Sequence, residues 1–116
     1  MHEASLALSI LDVVQEKCKE IGSPSLVSIR IRIGKAAGVL PDALQFAFEG
    51  AKEGTIAKQA KLIIEVVPIG GICADCKKPF TIDDLPYVLA CPACGSSSFE
   101  ITGGREMDII DMETEE

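Results

Sequence analysis

A chain of 116 residues has room for one domain, or for a slightly smaller domain carrying a metal-stapled appendage. Its net charge of −7 and its 4% of aromatic residues leave no basic, aromatic-lined stripe for nucleic acid. Six of the eighteen acids fall in the last eleven residues (Glu106, Asp108, Asp111, Glu113, Glu115 and Glu116) and every Lys and Arg precedes them, so the chain end reads as a solvated tail available to a partner.

Residues 3–21 set Ala7, Ile10, Leu11, Val14, Cys18 and Ile21 at helical spacing, with Asp12, Gln15, Glu16 and Lys19 on the other side. The spacing predicts an amphipathic helix, stopped at Gly22 and Ser23-Pro24. Cys18 on its apolar stripe reads as a small buried hydrophobe. Val27, Ile29, Ile31 and Ile33 alternate with Ser28, Arg30 and Arg32, which predicts a strand buried on one face. Gly34 and Gly38 mark a connection, Pro41 suits a first helical turn, and Leu44, Ala47, Phe48 and Ala51 give a second apolar stripe that ends near Gly54. Residues 61–68 are rich in Ile, Leu and Val and predict a second strand. After Gly103-Gly104, Met107, Ile109, Ile110 and Met112 predict a third strand, at an edge. The expected fold class is α+β: a small three-stranded mixed sheet with two helices, plus an inserted zinc-ribbon-like four-cysteine module. Residues 1–70 and 104–116 form the first unit and residues 71–103 the second.

That insert carries Cys73-Ala-Asp-Cys76 and Cys91-Pro-Ala-Cys94, two knuckles separated by fourteen residues. Two residues between paired cysteines let a tight turn aim both sulfurs at one ion, and four thiolates close a tetrahedron that zinc accepts. Rubredoxin-type iron uses the same grouping, so spacing alone leaves both metals open. Gly95 suits the second knuckle, because a positive φ just after the last cysteine brings amide donors toward the sulfurs. The insert has few large apolar residues (Phe80, Ile82, Leu85, Tyr87, Val88, Leu89 and Phe99), and units below about 40 residues usually need a metal. A closed four-thiolate site has no open coordination position, so these cysteines are expected to hold a fold and not to catalyse.

The one histidine, His2, lies beside the amino terminus. The Met1 α-amine, the His2 backbone nitrogen and its imidazole can wrap one ion in fused chelate rings, a planar nitrogen set suited to Ni(II) or Cu(II). Glu3 can add a backbone nitrogen or a carboxylate oxygen. With that histidine at the terminus and the paired cysteines committed to metal, no nucleophile–base constellation remains, and the chain reads as a non-enzyme. No run reaches the roughly 18 apolar residues of a membrane span, and residues 4–11 follow no basic segment, which predicts a cytoplasmic protein with reduced thiols.

Met1-His2-Glu3, Ser5-Leu6, Ile33-Gly34, Phe46-Ala47-Phe48-Glu49, Gly54-Thr55, the cysteine pairs and Gly104-Arg105-Glu106-Met107 together resemble the HypA family over essentially the whole length. The resemblance implies a nickel metallochaperone of [NiFe]-hydrogenase maturation, working with the HypB GTPase and the hydrogenase large-subunit precursor; some members also serve urease maturation. It implies that His2 is the nickel ligand, assisted by the Met1 amine and the backbone nitrogens of His2 and Glu3. It also implies that Cys73, Cys76, Cys91 and Cys94 hold structural Zn(II). Residues 34–40 contain no carboxylate, so no oxygen ligand is expected from that connection.

Overall fold

The computed structural model describes residues 3–22, 25–82 and 90–115. Helix α1 (Glu3–Ile21) buries Ala7, Ile10, Leu11, Val14 and Cys18 along one face, as the 3.6-residue spacing dictates. Ile21, expected on that stripe, is 60% exposed at the last residue of the helix. Strand β1 (Leu26–Gly34) continues through a 3₁₀ turn (Lys35–Ala37) to helix α2 (Pro41–Ala51), with Pro41 opening the helix. Strand β2 (Lys61–Val67) follows. A parallel β1–β2 pair needs a crossover, and α2 supplies it. Its Leu44 and Phe48 are fully buried, each stabilising by about 2 kcal/mol relative to exposure.

The last strand, β6 (Met107–Thr114), pairs antiparallel with β1, giving a mixed sheet in the order β2-β1-β6 with β6 at an edge. Two register shifts explain where simple alternation fails. Leu26 and Ser28 face consecutive residues Thr114 and Glu113, so Val27 is an extra residue on β1. Leu26 is therefore buried and Val27 39% exposed, the reverse of the period-two expectation. Arg30 and Ile31 face Asp111 and Ile109, so Ile110 bulges on β6, and Met107, Ile109 and Met112 all reach the core. The opposite face of the sheet is open to solvent, where Arg30 pairs with Asp111 and approaches Glu65 at 3.7 Å.

Lys52 caps α2, its N–H donating to the Phe48 carbonyl at 2.9 Å. The residue is only 8% exposed, and its ammonium donates to Glu49 Oε1 at 3.0 Å and to the Ala60 carbonyl at 2.9 Å while lying 5.8 Å from the Phe48 ring centroid. A buried cation requires such partners, and these tie the turn after α2 to the start of β2.

Residues 69–103 carry a second sheet, which the sequence did not announce and which begins two residues before the expected insert. Strands β3 (Ile69–Cys73), β4 (Pro79–Ile82) and β5 (Phe99–Gly103) pair antiparallel in the order β4-β3-β5. The molecule is long, 54 × 24 × 16 Å, with a radius of gyration of 17.4 Å against about 13 Å for a compact chain of this length.

The junction between the sheets is a close backbone crossing. Gly34 N–H donates to the Glu106 carbonyl at 2.8 Å and Ala36 N–H to the Gly104 carbonyl at 2.7 Å. A Cβ on Gly34 would lie 2.0 Å from the Gly104 carbonyl, and Gly104, at φ +105°, packs against Ile69 and Pro68. These glycines serve contact as much as turning. The Glu106 carboxylate accepts the Gly104 N–H at 2.6 Å. Its own N–H and that of Gly104, helped by the N–H of Arg105 and the charge of Arg32, hold its pKa below the usual carboxylate value.

Candidate metal centre

Cys73 ends β3, and the chain turns immediately through Ala74, Asp75 and Cys76. In this knuckle Lys77 N–H donates to the Cys73 carbonyl at 3.0 Å and Cys73 N–H to the Lys78 carbonyl at 3.1 Å. The second knuckle repeats the pattern: Gly95 N–H donates to the Cys91 carbonyl at 2.8 Å and Cys91 N–H to the Ser96 carbonyl at 2.9 Å. Each needs a left-handed residue just after its second cysteine. Gly95 takes φ 76° as the sequence predicts, and Lys77 takes φ 63°. Lys77 was not anticipated, although its place in Cys76-Lys77 matches that of Gly95 in Cys94-Gly95.

The knuckles are joined by Ala74 N–H donating to the Ser98 carbonyl at 2.8 Å and by the Ser96 hydroxyl donating to the Asp75 carboxylate. All four sulfurs consequently lie within 4.8 Å of one another, with Cys73 Sγ 3.5 Å from Cys94 Sγ and Cys76 Sγ 3.8 Å from Cys91 Sγ. A regular tetrahedron of sulfurs about 2.3 Å from zinc has edges of about 3.8 Å, whereas a disulfide requires about 2.05 Å. The four thiols therefore fit a shared metal, and none is in a disulfide.

Electrostatics point the same way. The Cys76 N–H, which reaches Cys73 Sγ at 3.4 Å, outweighs burial and, with the Asp75 N–H and neighbouring thiols, lowers the Cys73 pKa to about 6. Cys94 is the opposite case. The Ser96 N–H favours its thiolate, but the Cys73 sulfur, burial and the Cys91 and Cys76 thiols together push it up to about 12. Four thiolates this close cannot coexist without a cation among them.

Around the sulfurs the packing is thin. Phe80 and Phe99 meet edge to face at 5.7 Å and 87°, and Phe80 closes over Gly71, where a Cβ would lie 2.5 Å from its ring. Cys73, Phe80 and Cys91 are the buried residues of this cluster, flanked by Cys76, Ile82 and Phe99. Leu85, Tyr87, Val88 and Leu89, expected to contribute, lie outside the described residues.

Met1 and His2 also lie outside the described residues. Glu3, the first described, opens α1, and its carboxylate accepts the Leu40 N–H at 3.3 Å, anchoring the start of that helix beside the start of α2. Glu3 thus sits on the mixed-sheet side of the molecule, and the cysteine cluster on the other sheet.

The family described as "Hydrogenase/urease nickel incorporation, metallochaperone, hypA" matches residues 1–114. The hydrogenase maturation factor HypA of Picosynechococcus sp. is 40% identical over 113 residues, covering 97% of this chain and 98% of that one. Its counterpart in Chlorobium luteolum is 42% identical over 119 residues, covering 99% of this chain and 100% of that one. The solution structure of the Ni metallochaperone HypA from Helicobacter pylori superposes with a TM-score of 0.65 at 28% identity, covering 98% of this chain and 97% of that one. Matched from end to end in sequence and in fold, the chain belongs to the HypA family of nickel-incorporation metallochaperones.

Proposed function

We propose that this protein carries Ni(II) at its amino terminus and delivers it during [NiFe]-hydrogenase maturation. The observation that carries the reading is the family match, which runs from residue 1 through the tripeptide Met1-His2-Glu3. The nickel ligands in this reading are the Met1 amine, the His2 imidazole and backbone nitrogen, and the Glu3 backbone nitrogen; the Glu3 carboxylate is occupied at Leu40. The delivery partners are the HypB GTPase and the hydrogenase large-subunit precursor, with urease maturation factors as a second set of recipients, all in the cytoplasm. Among the described residues no helix is long and apolar enough to cross a membrane.

Cys73, Cys76, Cys91 and Cys94 hold Zn(II) in this reading, and the bound cation neutralises the thiolates and cross-links the two knuckles. Residues 1–70 with 104–116 act as the nickel-binding unit and residues 71–103 as the zinc-binding unit. The protein is a carrier and catalyses no reaction. A cargo site built at a chain end can be dismantled by exchange or by protonation of the imidazole near its ordinary pKa of about 6.5, whereas the four-thiolate cage stays closed.

Calorimetric titration of Ni(II) into the untagged, zinc-loaded protein tests this. One equivalent should bind to wild type and be lost in His2→Ala. Equal binding by both would remove His2 from the site.

A further inference from the structure

The four sulfurs of the metal centre are not equivalent toward solvent. Cys73 and Cys91 are buried, 0% and 2% exposed, whereas Cys76 is half-buried and Cys94 is exposed. Two sulfur–sulfur contacts run between the knuckles, Cys73 Sγ to Cys94 Sγ at 3.5 Å and Cys76 Sγ to Cys91 Sγ at 3.8 Å. Each joins a buried thiol to a more accessible one. Within the first knuckle Cys73 Sγ is met instead by the Cys76 backbone N–H, at 3.4 Å.

We propose that Cys94 is an oxidation site for hydrogen peroxide and that Cys73 resolves it, closing a disulfide across the two knuckles. A small oxidant reaches Cys94 first, because oxidation follows exposure as well as thiolate character. The Cys94 thiolate attacks one peroxide oxygen: an S–O bond forms, the O–O bond breaks, and the departing hydroxide takes a proton to become water. Cys94 is then a sulfenic acid. The Cys73 thiolate attacks that sulfur: an S–S bond forms, the S–O bond breaks, and a second hydroxide leaves as water after taking a proton. Two thiolates lose two electrons, and one peroxide is reduced to two waters. The sulfurs need only close from 3.5 Å to about 2.05 Å. Meanwhile the bond from Ala74 N–H to the Ser98 carbonyl and that from the Ser96 hydroxyl to Asp75 hold the knuckles together. The disulfide takes two of the four ligands away, so the centre gives up its cation yet stays cross-linked, and a dithiol with fresh metal restores it. The loss of metal rests on the reading above that these cysteines hold Zn(II).

Mass spectrometry of the untagged chain, treated with one equivalent of hydrogen peroxide and then alkylated and digested, tests the proposal. Cleavage before Asp75 separates Cys73 from Cys76, and fragmentation before Pro92 separates Cys91 from Cys94. The Cys73–Cys94 link should dominate, with Cys18, fully buried in the other core, still reduced. A chromogenic zinc chelator should report one zinc per chain released in step with that link, and amide-exchange protection in β3 and β5 should survive the release. Links within a knuckle, or Cys94 carried to a sulfinic acid with Cys73 left free, would overturn the pairing. Collapse of β3 and β5 protection in the linked form would overturn the covalent staple. A chain carrying no zinc before oxidant would refute the zinc reading alone, since the same digest still reads the link.

Discussion

The two sheets of this protein solve the same problem with different materials. Beneath the mixed sheet, α1, β1, the connection to α2, α2, the turn before β2 and β2 bury fifteen apolar residues in one cluster among the described residues, Phe48, Ile29, Ile31 and Leu44 being the largest. Beneath the antiparallel sheet the buried cluster is Cys73, Phe80 and Cys91, two of whose three members are thiols. Each sheet has three strands, so strand number does not explain the difference. What differs is that the first sheet has helices to cover one face, whereas among the described residues the second has only turns. The first is held by the hydrophobic effect; the second needs a cross-link at the place where a core would be.

Taking the metal away should expose that contrast most strongly. Apparent zinc binding at comparable four-ligand sites is worth on the order of 10 kcal/mol. Cys91→Ser, or a strong chelator, should therefore abolish amide-exchange protection in β3, β4 and β5 while leaving that of β1 and α2 in place. Loss of protection in both sheets together would mean that the two are one cooperative unit. The converse substitution is Phe48→Ala, which empties the larger core and should cost about 3–5 kcal/mol in the mixed sheet. Metal held at the four cysteines, read by a colorimetric thiol-displacement assay, should stay stoichiometric in conditions where the helical circular dichroism has begun to fail.

The smallest expected effect lies at the junction. Glu106 has a depressed pKa in the fold, so what its carboxylate contributes is present above the unfolded value of about 4.3 and is lost as pH falls through the lower, folded value. Small-angle scattering should show the 54 Å long axis broadening as the pH passes through that acidic window, and Glu106→Gln should remove the step. A scattering profile in Glu106→Gln that still changes across the same window would assign the step to other carboxylates.

Much of this was legible from residue spacing. The helix stripe from Ala7 to Cys18, the alternation of Ile29, Ile31 and Ile33, and the doubled cysteine pairs each reflect one local period or turn, which a sequence carries directly. Bulges do not announce themselves in this way. Whether Leu26 or Val27 points inward depends on an extra residue measured against β6, about eighty residues away. The antiparallel sheet of the insert was hidden for a related reason: Ile69-Gly70-Gly71-Ile72 and Pro79-Phe80 lack the β-branched alternation of a strand, and pairing around a fixed cysteine cluster makes them strands. Lys52 reads as an ordinary surface base until the Ala60 carbonyl and the Phe48 ring arrive from elsewhere in the chain.

The order of strands in the mixed sheet also fixes a schedule. β1, its central strand, leaves the ribosome before its antiparallel neighbour β6, with the cysteine-bearing segment between them. At typical synthesis rates, on the order of several seconds separate the two, during which the whole cysteine-bearing segment emerges and β1 has β2 on one side and nothing on the other. The cysteines are thus exposed to the cell's metal supply before the mixed sheet is closed, and the nascent chain completes that sheet only when Met107 to Thr114 are laid against a strand made long before.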